Sequence, residues 1–74
     1  MRLSIRGEGS LDLPLRILNL FAQQGVACDQ ASFVLEAESY RILIDAPAPG
    51  ERHELIVDKL RSMVLVSEVE VLDS

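Results

Sequence analysis

Tryptophan is absent from this chain, and Phe21, Phe33 and Tyr40 are its only aromatic residues. A core without many rings must come from leucine, isoleucine and valine. A nucleic-acid-binding sheet, which stacks bases on aromatic side chains in a basic setting, lacks its means here. Positive charge is also scarce. Seven Lys and Arg stand against twelve Asp and Glu, a net charge of −5 that repels a phosphate backbone. Cys28 is the lone cysteine and His53 the lone histidine. One thiol excludes an intrachain disulfide and points to a reducing compartment, the cytoplasm. No apolar run approaches the roughly 20 residues that cross a bilayer, and the opening MRLSIRGEGS has no signal-peptide core. Partners in nucleic acid or membrane are therefore not expected.

What is present is apolar: 49% of the 74 residues are hydrophobic. That length supports one domain, residues 1–74, burying only roughly 60% of its unfolded surface. RLSIR alternates Leu3 and Ile5 with Arg2, Ser4 and Arg6, the period of a half-buried strand. Leu13, Ile17, Leu20 and Phe21 then recur at helical spacing, with Leu18 and Ala22 widening the face and Gly25 ending it. Pro14 fits only the first turn of that helix, and Ser10 or Asp12 can cap it. ACDQASFVLEAESYRILIDA reads as two strands joined at AES, with Ala31, Phe33 and Leu35 facing one way, and Tyr40, Ile42 and Ile44 likewise. Pro47, Pro49 and Gly50 interrupt the chain. A second helix carries Ile56, Leu60 and Met63 with Leu55 beside them, Glu51 and Glu54 at its positive end, and Lys59 and Arg61 at its negative end. VLVSEVEVL closes as a strand, with Leu65, Ser67, Val69 and Val71 on one face.

Strand, helix, strand, strand, helix, strand is an α+β, ferredoxin-like βαββαβ plan. Right-handed crossovers give a four-stranded antiparallel sheet in the order 4-1-3-2, both helices on one face. On the other face Arg2 and Arg6 come near Glu68 and Glu70, a solvated charged surface.

Catalytic chemistry needs convergent groups, and few exist here. His53 lies near a helix start between Glu51 and Glu54 but lacks the second histidine of a metalloprotease helix, so it reads as a surface residue. Cys28 is followed by Asp29, which opposes thiolate formation, and reads as an inert strand residue. GEG is a fragment of a phosphate motif and is better explained as a turn. No catalytic residue, metal site or cofactor is expected.

Three segments carry a family resemblance. LRILNLFAQQGV resembles the first helix and turn of ACT domains, small amino-acid-sensing regulatory modules. RILID resembles their third strand, and VDKLRSMVLVSEVEVL their second helix and last strand. The run from the first helix into ACDQASF is most similar to the short regulatory subunits of acetolactate synthase. The resemblance implies a non-catalytic regulatory module or subunit whose partner is the catalytic subunit of an amino-acid biosynthetic enzyme. It also implies a small amino acid as ligand, held between the first strand-to-helix turn, here Glu8, Gly9, Ser10, Leu11, Asp12 and Leu13, and the start of the second strand, here Cys28, Asp29 and Gln30. Asp12 falls where many ligand-binding members have glycine, which makes a structural turn the stronger expectation.

An acylphosphatase-like hydrolase on the same plan would need a basic first loop, and GEGSLDL is acidic. An RNA-binding module fails on charge and aromatics. The second strand has no lysine, arginine or proline to protect an exposed edge. Pairing of two such edges predicts a homodimer with Cys28, Gln30, Ser32 and Phe33 at or beside the contact.

Overall fold

The computed structural model describes residues 1–47 and 51–73. The chain forms β1 (Arg2–Glu8), α1 (Asp12–Gln24), β2 (Gln30–Glu36), β3 (Ser39–Asp45), α2 (Glu51–Ser62) and β4 (Val66–Asp73). The strands lie in the order β2-β3-β1-β4, every neighbouring pair antiparallel. This is the expected ferredoxin-like sheet. The expected break at Pro49 and Gly50, and the side chain of Glu51, lie outside the described residues.

Burial follows position in the sheet. The central strands β1 and β3 alternate cleanly, with Leu3, Ile5, Ile42 and Ile44 fully buried against Leu13 and Ile17 of α1 and Ile56 and Leu60 of α2. The edge strands are only half covered: Ala31 and Phe33 of β2 and Val69 of β4 are partly buried, while Leu35 is 56% exposed. Leu35 overhangs the end of the core.

Helix α1 begins with a local solution to its unpaired donors. Leu11 already has helical dihedrals (φ −60°, ψ −20°), so Ser10 is the cap in the physical sense: its hydroxyl accepts from the Asp12 N–H at 3.2 Å. Pro14 has no N–H to give the Ser10 carbonyl, and the Leu13 N–H takes that acceptor instead at 3.0 Å, tightening the first turn. At the other end Gly25 is left-handed (φ 66°). The Gly25 N–H donates to the Ala22 carbonyl and the Val26 N–H to that of Phe21, at 3.1 and 3.0 Å. These two bonds are the Schellman pattern, as Gly25 foretold.

Three expectations need correction. Leu18 and Ala22 do not widen the buried face of α1; both are exposed, because four residues already fill the contact with the sheet. His53 is buried rather than on the surface, since it shares the inward face of α2 with Ile56, Val57 and Leu60. In β4 the simple alternation fails. Gly7 pairs with Val66 but Arg6 with Glu68, leaving Ser67 as the extra residue of a bulge that shifts the inward face to Val66, Val69 and Val71.

Candidate functional site

The first strand-to-helix turn is filled by its own chain. A Cβ built on Gly9 would lie 2.5 Å from the Glu38 carbonyl oxygen, 2.8 Å from its carbon and 3.0 Å from Leu35 Cδ1. The glycine is there so that the β2–β3 turn can sit against the backbone. Nearby donors are also used internally. The Glu8 N–H reaches the Leu65 carbonyl at 2.9 Å, the Asp12 N–H the Ser10 hydroxyl, and the Leu13 N–H the Ser10 carbonyl. Leu13 is fully buried, Leu11 is 72% exposed, and Asp12 is the one acidic residue of the helix's first turn.

Cys28, Asp29 and Gln30 form the entry to β2. Cys28 is half-buried, and its thiol donates to the Gln30 carbonyl at 3.5 Å. Desolvation pushes the thiol pKa above its ordinary value, with Asp29 and Asp45 adding to the rise while the Gln30 contact opposes it. This is the environment of an unreactive cysteine. The Asp29 N–H donates to the Asp45 carbonyl at 2.8 Å, which anchors the strand start.

Register separates the two groups of candidate ligand residues. Gln30 aligns with Asp45 and through it with Arg2, whereas Glu36 aligns with Ser39 and through it with Glu8. The entry to β2 and the β1–α1 turn thus sit at opposite ends of one sheet, about 20 Å apart at ~3.3 Å per residue. One copy of the chain does not bring them together.

The β2 edge carries the expected contact residues Gln30 and Ser32, both exposed, with Cys28 and Phe33 half-buried. Sequence reasoning missed an exposed apolar stripe on the first helix. Leu11, Leu15 and Leu18 of the α1 region are 72%, 63% and 41% exposed, a second apolar stripe at i, i+4 and i+7. The spacing was legible, but Leu18 was assigned to the buried face and Leu11 and Leu15 to no face. The right-handed β1–α1–β2 crossover carries α1 over the β2 side of the sheet, and the stripe lies on the side of the helix turned away from its buried face.

On the helix-free face the register sets Arg6 opposite both Arg41 and Glu68. Arg2 pairs with Asp45 through Nε–Oδ1 at 2.7 Å. Among the described residues no cluster of three or more His, Cys, Asp or Glu is placed to hold a metal ion. No described helix is long and apolar enough to cross a membrane.

A ferredoxin-like domain with a self-filled first turn and β2 as an edge strand defines the class. Within it, a family model described as ACT-like domain matches residues 1–74. The chain belongs to the ACT-like domain family. Its fold is similar to that of the ACT domain from GTP pyrophosphokinase of Chlorobium tepidum, with TM-score 0.80 and 16% identity over 93% of this chain and 91% of that one. It is also similar to the acetolactate synthase small subunit from Thermotoga maritima, at TM-score 0.79 and 18% identity, over 93% of this chain and 44% of that one. A formyltetrahydrofolate deformylase from Pseudomonas putida KT2440 follows at TM-score 0.67 and 9% identity, covering 95% of this chain and 28% of that one. The chain spans less than half of these last two proteins, and at such identities the likeness is one of fold. No curated protein matches by sequence.

Proposed function

We propose that the chain is a non-catalytic, cytoplasmic regulatory module that works by pairing its β2 edge, first with a second copy of itself. The regulated partner in this proposal is the catalytic subunit of an amino-acid biosynthetic enzyme, and acetolactate synthase is the enzyme we name. Membership of the ACT-like family supports the regulatory role, and the fold shared with the acetolactate synthase small subunit supports the choice of enzyme. The observation that carries the proposal is the β2 edge, a strand of seven residues without lysine, arginine or proline that pairs on one side only; exposed Leu11, Leu15 and Leu18 add apolar surface on α1. Unpaired N–H and C=O groups on an edge strand, in a domain that also exposes an apolar helix stripe, favour a protein partner.

Self-pairing also gives the candidate ligand residues a way to meet. Two-fold antiparallel pairing centred on Phe33 sets the partner's Gln30 opposite Glu36, at the end of the sheet that carries Glu8 to Leu13. An amino acid would then lie between copies. Within this proposal its binding is weak or absent, because Glu38 occupies the approach at Gly9 and a carboxylate at Asp12 opposes the ligand's own.

Affinity purification of the tagged full chain from its native source, with mass spectrometry of bound proteins, tests the partner. Recovery of an amino-acid biosynthetic enzyme is expected, and failure to recover any would overturn the assignment. Calorimetry with valine, leucine and isoleucine tests the ligand. Tight binding abolished by substitutions within Glu8 to Leu13 would show that the turn is a sensor.

A further inference from the structure

Three local features meet at one place on the helix-free face. Arg6 of β1 is the direct cross-strand partner of Arg41 of β3, and like charges set opposite each other destabilise an antiparallel pair. The β2–β3 turn holds two non-glycine residues at positive φ, Ala37 at 48° and Glu38 at 68°. Such strain gathers at binding sites more often than elsewhere. The β4 bulge puts Ser67 beside Arg6, its hydroxyl donating to the Arg6 carbonyl at 3.1 Å. Together these features enclose a cavity of about 420 Å³ lined by Arg6, Glu36, Ala37, Ser39, Arg41 and Ser67.

The two guanidinium groups are not equivalent. Arg41 is held by Glu36, Nη2 to Oε1 at 3.0 Å. Arg6 faces Glu68 in register yet closes no ion pair with it or with any other described residue. Two arginines and one glutamate line the cavity, leaving one net positive charge there in a molecule of net charge −5.

We propose that this cavity binds a small monocarboxylate. Arg6 offers its planar fork for a bidentate contact, Arg41 supplies the second cation, and the Ser39 hydroxyl supplies a further donor. A bound carboxylate offsets the repulsion between the two arginines. A phosphate dianion fits less well, because Glu36 within the cavity and Glu68 beside it repel the second charge. Arg41 and Glu36 are each about half exposed, so solvent screens the contacts and affinity falls in the millimolar range. The site is complete in one chain and shares no residue with the turn or strand-entry candidates, and only Glu36 of its lining also lies on the β2 edge.

The experiment is amide and arginine Nε nuclear magnetic resonance on the full chain, titrated with sodium acetate against sodium chloride at constant ionic strength. Saturable shifts at Arg6, Ser39, Arg41 and Ser67, half-complete at about 1–20 mM acetate, are expected. Arg6→Gln should abolish saturation without disturbing the remaining spectrum. Arg6→Lys, which keeps the charge but removes the fork, should weaken it by about threefold or more. Shifts that match the chloride control, or saturation that survives Arg6→Gln, would overturn the site. Inorganic phosphate binding more tightly than acetate would overturn its assignment to a monocarboxylate.

Discussion

At the scale of single residues, backbone conformation decides more than side-chain chemistry. Gly25 and Glu38 both hold left-handed dihedrals, φ 66° and 68°, but only one of them is glycine. A Cβ at Gly25 would meet nothing within 4 Å, so Gly25→Ala measures the left-handed conformation alone and should lower stability by about 1–2 kcal/mol. Glu38→Gly should act in the opposite sense, raising stability by about 0.5–1 kcal/mol as the strain of the two-residue turn is relieved. Urea unfolding of both variants checks the pair of signs. Cys28 gives a second residue-level expectation. Its raised pKa keeps the thiol protonated, so alkylation by iodoacetamide should be slow at neutral pH, with a rate–pH midpoint above that of free cysteine. The linked stability runs the same way: whatever the thiol contributes is intact below the unfolded-state pKa and lost as pH rises through the folded one. Cys28→Ser should remove that alkaline loss.

At the scale of elements, α1 has two apolar faces with different destinations. Leu13, Ile17, Leu20 and Phe21 face the sheet and are buried, while Leu11, Leu15 and Leu18 are exposed. Substituting the second set tests association without touching the core. Leu15→Glu, at a site 63% exposed, should leave the unfolding midpoint nearly unchanged, as surface substitutions generally do. It should nevertheless weaken self-association by about tenfold or more, since a charge is placed in an apolar contact. Sedimentation equilibrium of wild type and variant is the measurement. A wild-type chain that stays monomeric at high concentration would remove the dimer, and an unchanged variant would remove α1 from its interface.

At the scale of the whole molecule, net charge opposes association. Two copies of a chain at −5 repel each other over distances that salt shortens, about 10 Å of screening length at 0.1 M and about 30 Å at 0.01 M. Dimerisation should therefore tighten as sodium chloride is raised between those concentrations. Were it to weaken instead, ion pairs rather than apolar contact and strand pairing would hold the interface. Acetate binding at Arg6 should show the opposite salt response, because it depends on attraction between unlike charges.

Periodicity determined the element order and the inward residues of β1 and β3, because a central strand expresses its hydrophobic period without interference, and the handedness of the crossovers added the strand order. On α1 periodicity found Leu13, Ile17, Leu20 and Phe21 but also drew in Leu18 and Ala22, which are exposed. Gly25 was legible for the same local reason: few other residues tolerate its dihedrals. The shape of the β1–α1 turn was not. Gly9 belongs there because Glu38, 29 residues later, lies against it, and no local pattern encodes a contact across the sheet. His53 was misjudged because polarity suggests a surface, whereas the packing of α2 turns that position inward. The β4 bulge escaped because one extra residue shifts the period without changing the composition. Placing the expected ligand residues at opposite ends of the sheet, and Arg6 beside Arg41, required register. Hydrogen-bonded strand pairing sets that register across the fold, and tertiary structure alone decides it.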